Sequence, residues 1–484
     1  MARVARNSWK PVAIKAIPLV FMLVMLGYSI LSVTVPIFYN RYFQARAQAY
    51  AGERVVFTSY FYWYKATGTT GFAPHVVDVW SQANLDKIGN ATFPEGWPGP
   101  TDPMDWVINR SGTLYHDALS EHPPAQAPSY YANGSVIPGS LVNGTMENIT
   151  SWFDWMNPAW HEWEIRCMMR AGIDVLMPVY WYNGLPPWNW SIEGLEQLVS
   201  TWNAMPAKLV AEGQATSLND AKNNVLPKIC MFFDTTCQKC LYCNNISVTT
   251  GTPYDVCWST LRGADLDDPY WQEMFWQSIA AFFDRVDPVQ LFTAPDGSNV
   301  VWLYGTEWFS DVGSSVLGYC KAKFQERFNR IVMFVGSKGW VKAGVDVVCP
   351  WGACCPGPVL PAERGIPVGE VSPGLYCFGA GSTGFVPRTD EKYLQHWQSV
   401  LDAYPVWVHV ETWNEFHEGT HIAWSQENGY RWIDLTREMV DEFHAMAGIA
   451  PPVSINVPAF AIPLVLLAGL VGVGFAKPCK ATRV

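Results

Sequence analysis

Hydrophobic and polar positions repeat along this chain with two periods that take turns. Residues 55–64 (VVFTSYFYWY) are a β-branched and aromatic run that reads as a strand. After a long loop rich in Gly, Pro and sequons, residues 155–170 carry a helical pattern with Gly172 as its stop, and residues 173–182 (IDVLMPVYWY) supply the next strand. A helix with Leu195, Leu198 and Trp202 on one face leads to KICMFFD at 228–234. Another, with Phe275, Ile279, Phe282 and Val286 at helical spacing, leads to VVWLYGTEW at 300–308. A helix at 316–330, weaker strands at 345–349 (VDVVC) and 369–374 (GEVSPG), a helix at 391–401 and a last helix turning Ile433, Val440 and Phe443 inward follow. Seven or eight strand-helix units with long insertions predict an α/β fold, a (β/α)8 TIM barrel over 55–448. A doubly wound open sheet is the competing architecture, but no Gly-rich dinucleotide fingerprint or Walker motif supports it.

Two segments depart from this pattern by being apolar throughout. Residues 16–39 (AIPLVFMLVMLGYSILSVTVPIFY) and 457–476 (VPAFAIPLVLLAGLVGVGFA) each approach the length that crosses a bilayer. Arg3, Arg6, Lys10 and Lys15 precede the first, and Lys477, Lys480 and Arg483 follow the second. The expectation is a cytoplasmic segment at 1–15, transmembrane helices at 16–39 and 457–476, linkers at 40–54 and 449–456, and a cytoplasmic tail at 477–484. The barrel would then be anchored on the extracellular or lumenal side. A signal peptide cleaved near ARAQAYA (45–51) is an alternative, although the apolar run is longer than a typical signal core and ends too early. A tail removed for a lipid anchor is another, although such signals do not usually end in basic residues.

Composition narrows the partners. A net charge of -11 opposes nucleic acid, whose affinity comes from clustered Lys and Arg. An uncharged, hydroxyl-rich ligand suits the chain better. Sequons at Asn90, Asn109, Asn133, Asn143, Asn148, Asn189 and Asn245 mark secretory-side loops of a glycoprotein. Eleven of the 12 cysteines precede the tail, which holds Cys479. CQKCLYC (Cys237, Cys240, Cys243) with Cys257 has zinc-like spacing, but in an oxidising compartment disulfides are the commoner use, and no metal or cofactor is expected.

The densest chemistry lies at residues 406–420, VWVHVETWNEFHEGT. Side chains alternate across a strand, so Val406, Val408, Val410 and Thr412 share one face while Trp407, His409, Glu411, Trp413 and Glu415 share the other. In a barrel the apolar face meets the helices, which predicts that the His/Glu/Trp face points inward. Glu415 then sits at the C-terminal end of the strand, where barrel enzymes keep their chemistry, with Glu418 one loop step further. Asn414 as a plain helix cap is the bland alternative, but Gly419 and Thr420 break the segment before a helix starts, and a cap does not explain the inward face.

TWNEFHEGTHI (412–422) resembles the Asn-Glu-x-x-Glu-Gly-Thr signature of glycoside hydrolase family 99, the endo-α-mannosidases, and of related barrel domains of unassigned activity. YFYWY (60–64), with Tyr62 and Tyr64, is similar to that family's first-strand segment, AGIDVLMPVYW (171–181) to its second strand, and MFFDTT (231–236) falls where it has a strand ending in a carboxylate. The resemblance implies a retaining glycosidase acting on α-linked, mannose-type glycans, which the two apolar segments would anchor to a membrane. Glu415 would act as base on the sugar 2-hydroxyl to give a 1,2-anhydro intermediate, and Glu418 as general acid/base. Asp234 would hold sugar hydroxyls, although the family typically has Glu there, a departure that bears on substrate. Tyr62, Tyr64, Trp181, Tyr182, Glu307, Glu411, Trp413 and Asn414 complete the expected binding set.

The pair also stands on its own chemistry. Glycoside cleavage needs two carboxyls in different protonation states, which repulsion and burial separate. Trp63, Trp181, Tyr182, Trp188, Trp190, Trp308 and Trp413 are candidate stacking surfaces for sugars, and Glu307, strand-terminal in YGTEWF, is a reserve carboxylate. Two alternatives compete. Glycosidases with an Asn-Glu pair and a distant nucleophile carry the pair at the fourth strand, whereas here one helix and a linker remain after it. An inactive glycan-binding or surface-coat barrel would not need an intact Glu415 and Glu418.

Overall fold

Val55–Tyr60 (β1) is buried at every position, as a parallel strand covered on both faces must be. In the computed structural model the described residues are 53–63, 123–124, 126–141, 154–185, 189–350, 366–376, 385–416 and 419–448. They fall within one compact unit, Ala49–Ile449. The strands after β1 are Val175–Tyr180 (β2), Lys228–Ile229 (β3) and Met231–Phe233 (β4), which flank Cys230 as one broken strand, Asn299–Leu303 (β5), Val332–Gly336 (β6), Val347–Val348 (β7) and Val368–Val371 (β8). A small hairpin, Leu375–Tyr376 (β9) with Phe385–Val386 (β10), precedes Trp407–Val410 (β11). The main sheet runs β7-β6-β5-β4-β2-β1-β11-β8, with β3 beside β2. Every pairing in it is parallel and the first strand lies beside the last, the layout of a TIM-type barrel.

Helices occupy the intervals where the periodicity changes. Pro158–Ala171 (α1) starts at Asn157, whose side chain accepts the Ala159 N–H, and stops at Gly172, left-handed at φ 76°. Asn189–Ala211 (α2), Thr236–Thr250 (α3), Tyr254–Thr260 (α4), Pro269–Phe283 (α5), Val316–Phe328 (α6), Asp390–Asp402 (α7) and Arg431–Ala445 (α8) follow. The residues expected on their inner faces, including Leu195, Leu198, Trp202, Phe275, Ile279, Phe282, Ile433, Val440 and Phe443, are all buried. β6 is a strand beyond those expected. Its run IVMFVG directly follows a helix that ends only at Asn329, left-handed at φ 51°, so no Gly or Pro separates the two elements.

The expectation of two flanking transmembrane helices is corrected. Among the described residues no helix is long and apolar enough to cross a membrane. The longest, α2 with 23 residues, spaces Glu193, Glu196, Gln197 and Lys208 along its length and is amphipathic. Residues 16–39 and 457–476 lie outside the described residues.

The cysteine expectation is also revised. Cys243 on α3 is bonded to Cys257 on α4, whereas Cys237 and Cys240 are buried thiols. Among the described residues no cluster of His, Cys, Asp or Glu is arranged to hold a metal. Of the sequons within the described residues, Asn133 and Asn189 are exposed and Asn245 is half-buried. Mapping of non-reduced peptides should join Cys243 to Cys257 and leave Cys237 and Cys240 alkylatable after unfolding. Reduction should lower stability by about 3 kcal/mol, the usual worth of a bridge closing a loop this short.

At the opposite end of the barrel Asp174 ties three elements together. It accepts the Val56 N–H at 2.7 Å and meets His444 Nε2 of α8 at 2.9 Å. Arg54 donates to the carbonyls of Pro405 and Met446 beside it. The hydrogen bond to Asp174 raises the His444 pKa above its ordinary 6.5. Protonated His444 therefore stabilises the fold below that value, and the contribution fades as pH rises through the raised one. Thermal unfolding from pH 6 to 9 should show a decline in Tm that Asp174→Asn flattens. An unchanged slope in the variant would exclude the pair as its source.

Candidate active site

The barrel interior is built in layers that can be followed from floor to mouth. Phe57 of β1 lies 5.1 Å from Phe292, 5.3 Å from Trp302 of β5 and 5.2 Å from Trp407 of β11, ring centre to ring centre. β5 is three places from β1 in the sheet, so these contacts cross the interior, and Trp407 faces inward as expected. His409, two residues on, also faces inward. Its ring lies 5.3 Å from Trp302 and stacks on Phe232, Ser59 Oγ is 3.2 Å from Nε2, and Glu370 Oε1 of β8 is 3.4 Å from Nδ1. Burial pushes the His409 pKa down to about 3, so the imidazole is neutral.

Above this layer a little exposure returns. Glu370 and His409 are 0 % exposed, whereas Asp234, Glu411 and Glu415 retain 7, 5 and 7 %. All three follow the C-terminal ends of strands: Asp234 after β4, and Glu411 and Glu415 after β11. The Glu411 N–H donates to the Val371 carbonyl at 2.9 Å, continuing the pairing with β8. Asp234 Oδ1 accepts the Thr236 N–H at 3.0 Å at the start of α3, so part of its role is to cap that helix.

The segment carrying Glu415 is anchored on two sides. Asn414 Oδ1 accepts the Phe61 N–H at 2.7 Å while Nδ2 donates to the Phe61 carbonyl at 2.9 Å. One side-chain amide thus imitates a neighbouring strand and extends the β1–β11 ladder past its last backbone pair, Thr58 with Val410. Asn414, expected among the substrate-binding residues, uses its amide on the scaffold here. On the other side Thr412 and Thr420 close the loop between them, by the Thr412 N–H to the Thr420 carbonyl at 3.0 Å and hydroxyl to hydroxyl at 2.9 Å. The Thr412 Oγ1 also accepts the Glu415 N–H at 3.1 Å. The peptide joining Glu411 to Thr412 is cis. His417 and Glu418 lie outside the described residues.

The remaining expected residues divide. Trp181 packs edge-on against Trp63 at 5.7 Å at the ends of β2 and β1, and Tyr182 next to it is half-buried. Tyr62 is buried with its hydroxyl donating to the Ser191 carbonyl of α2 at 2.8 Å, and a Cβ on Gly194 would sit 2.6 Å from its ring. Trp413 turns outward, its indole N–H donating to Glu164 of α1 at 2.5 Å, because alternation ends with the strand at Val410. Glu307 is exposed after β5 and its carboxylate lies over Gly305, where a Cβ would meet both oxygens within 2.3 Å. Tyr64 and Trp188 lie outside the described residues. Glu370, Ser59 and Glu164 were not foreseen; a lone Glu inside the apolar run IPVGEV is the sequence signal for the first.

The family described as "Domain of unknown function (DUF5010)" matches residues 148–448, more than half of the chain. The chain belongs to the DUF5010 family. No curated protein matches it. Two solved structures to which this DUF5010 chain is similar are of the GH99 endo-alpha-mannosidase from Bacteroides thetaiotaomicron. One contains bis-tris-propane and has a TM-score of 0.45, the other scores 0.42, and each is 12% identical, over 81% of this chain and 98% of that one. These structures are from the family that the TWNEFHEGT segment resembles.

Replacing Asn414 by Ala leaves the N–H and C=O of Phe61 buried without that partner, and each such group costs about 1–3 kcal/mol. Urea unfolding should show Asn414→Ala less stable by roughly 2–4 kcal/mol. Asn414→Asp should also lose stability, since a carboxylate cannot donate to the Phe61 carbonyl. A loss below about 0.5 kcal/mol in both would mean that the amide does not hold the strand.

Proposed function

We propose that this DUF5010 protein is a retaining glycoside hydrolase that cleaves glycans at the C-terminal mouth of its barrel, with Glu415 and Glu418 as the working carboxyls. The observation that carries the reading is the setting of Glu415. It follows the last strand on a segment anchored by Asn414 to Phe61, with Glu411 on the same segment. A rigidly mounted carboxylate at a barrel mouth, still touching water, suits a group that must meet a substrate hydroxyl.

In the reaction Glu415 takes the proton of the sugar 2-hydroxyl, whose oxygen attacks the anomeric carbon as the aglycone leaves. Glu418 protonates the leaving oxygen. It then takes a proton from water as water opens the 1,2-anhydro ring, and Glu415 returns its proton to the 2-oxygen, so the configuration is retained. Asp234 binds sugar hydroxyls from the β4 side. α-Linked mannose-type glycans are the first substrates to try, on the strength of the Asn414-Glu415-x-x-Glu418-Gly419-Thr420 motif. The same reading has the domain work outside the reducing cytosol, supported by the Cys243–Cys257 bond and the exposed sequons at Asn133 and Asn189.

The purified protein should be screened against α- and β-linked glycans with products read by mass spectrometry. Glu415→Gln and Glu418→Gln preserve volume and should each cut turnover by about 10² or more. Substrates with activated leaving groups should rescue the first step in Glu418→Gln alone. Near-normal turnover in both variants would shift the site to Asp234 and Glu307, and glycan binding without cleavage by the parent would make the barrel a lectin-like module.

A further inference from the structure

Glu164 belongs to α1 and is 2 % exposed, deep between that helix and the strands. Its Oε1 accepts the Trp160 indole N–H at 2.8 Å and its Oε2 accepts the Trp413 indole N–H at 2.5 Å. Burying a carboxylate is costly, and an apolar side chain would fill the same space. What the carboxylate adds is a pair of acceptors, one of them spent on the residue beside Asn414. The Trp413 backbone is held as well, its N–H donating to Ser59 at 2.9 Å and its carbonyl accepting from Ile422 and Ala423 at 3.0 and 2.8 Å. The indole thus ties α1 to the backbone from which Asn414 and Glu415 project.

We propose that Glu164 is a positioning residue, which through the Trp413 indole clamps the Asn414–Glu415 segment against the barrel wall. Its relevance to catalysis rests on the reading of Glu415 above; the clamp itself does not. An ionised carboxylate offers lone pairs to both indoles, whereas a carboxylic acid must carry a proton on an oxygen that already faces an N–H. Burial raises the Glu164 pKa to about 7, against the pull of the Trp413 and Trp160 hydrogen bonds.

Among the described residues no neighbouring charge offsets that burial. The titratable groups coupled to Glu164 are Tyr60 of β1 and Cys167 of α1, both pushed up chiefly by burial. His161 of α1 is 2.9 Å from the Tyr60 hydroxyl and is driven down to about 4 by burial. All three are uncharged near neutrality. The charges on the elements packed around α1 are engaged elsewhere: Arg166 with Glu162 and with Glu212 beyond α2, Lys208 of α2 with Glu162, and Arg170 with Asp434 of α8. If Glu164 stays buried when Trp413 swings away, loss of that hydrogen bond raises its pKa further, so the clamped state binds fewer protons and the clamp tightens as pH rises through about 7.

Hydrogen exchange read by mass spectrometry over peptides spanning 411–416, corrected for intrinsic rates, tests this in the full chain from pH 5.5 to 8.5. Opening in the parent should slow about fivefold or more as pH passes 7. Glu164→Gln, which pits an amide N–H against one of the indoles, should abolish that dependence. Trp413→Phe should reproduce the loss, and the double variant should be no looser than either single one. Protection that is flat with pH in the parent, or a pH step that survives in Glu164→Gln, overturns the proposal. On a substrate that the parent cleaves, Glu164→Gln should lower kcat about tenfold with KM little changed and should shift the acid limb of the pH profile. A protein inactive on every glycan that still shows the exchange step would remove the glycosidase reading and leave the clamp standing.

Discussion

Contact between the first strand and the last is the constraint on which the rest of the structure depends. Val55 to Thr58 pair in register with Trp407 to Val410, joining segments more than 350 residues apart. Closing so long a loop is entropically unfavourable, although the cost grows only slowly with length. It is offset where the ladder continues beyond the strands, through Trp413 to Ser59 and the Asn414 amide to Phe61. Without that closure His409 would not stand beside Ser59, nor would the Glu415 segment lie against the end of β1. Fold and candidate chemistry are one arrangement of hydrogen bonds.

The interior explains why polar groups can gather there. Its floor is an aromatic cluster of Phe57, Phe292, Trp302 and Trp407, which excludes water and needs no hydrogen-bond partner on its ring faces. His409 sits on that floor and stays neutral, because burial makes its charged form costly even with Glu370 at 3.4 Å. Only above it do carboxylates keep some exposure. The order of apolar floor, buried polar layer and then acidic mouth follows the cost of desolvating each group.

Much of this was legible because it repeats. The valine face of 406–410 and the inward set of Trp407 and His409 follow from strand alternation alone, and the helices follow from spacing and from stops such as Gly172. Trp413 escaped because alternation holds only within a strand and β11 ends at Val410. Glu164 escaped because its meaning comes from an indole 249 residues away. A carboxylate in a helix pattern reads as solvated face until its partner is known. β6 escaped because its apolar run abuts a helix without a Gly or Pro between them. Spacing that suggested a cluster of four bonded cysteines yielded one bond, since Cys237 and Cys240 turn into the packed side of α3.

Tryptophan shows how a composition can suggest function and serve architecture. The chain has 25, and their abundance invites the thought of sugar-stacking platforms. Yet Trp160, Trp163, Trp202, Trp302, Trp340, Trp397, Trp407 and Trp413 are fully buried. Several are held by their indole N–H, Trp202 on the Pro227 carbonyl and Trp340 on the Tyr304 carbonyl, as well as the two on Glu164. Trp63, Trp181 and Trp190 retain no more than 6 % exposure. Trp308 differs: it is half-buried after β5, stacks within 22° of Trp258, and has Lys239 over both rings. Trp258 belongs to α4, which the Cys243–Cys257 bond fixes to α3, so this half-buried aromatic pair is also covalently braced. A wide, rigid ring can stiffen a barrel or meet a ligand face. In this chain burial separates the two uses, with most indoles given to the wall.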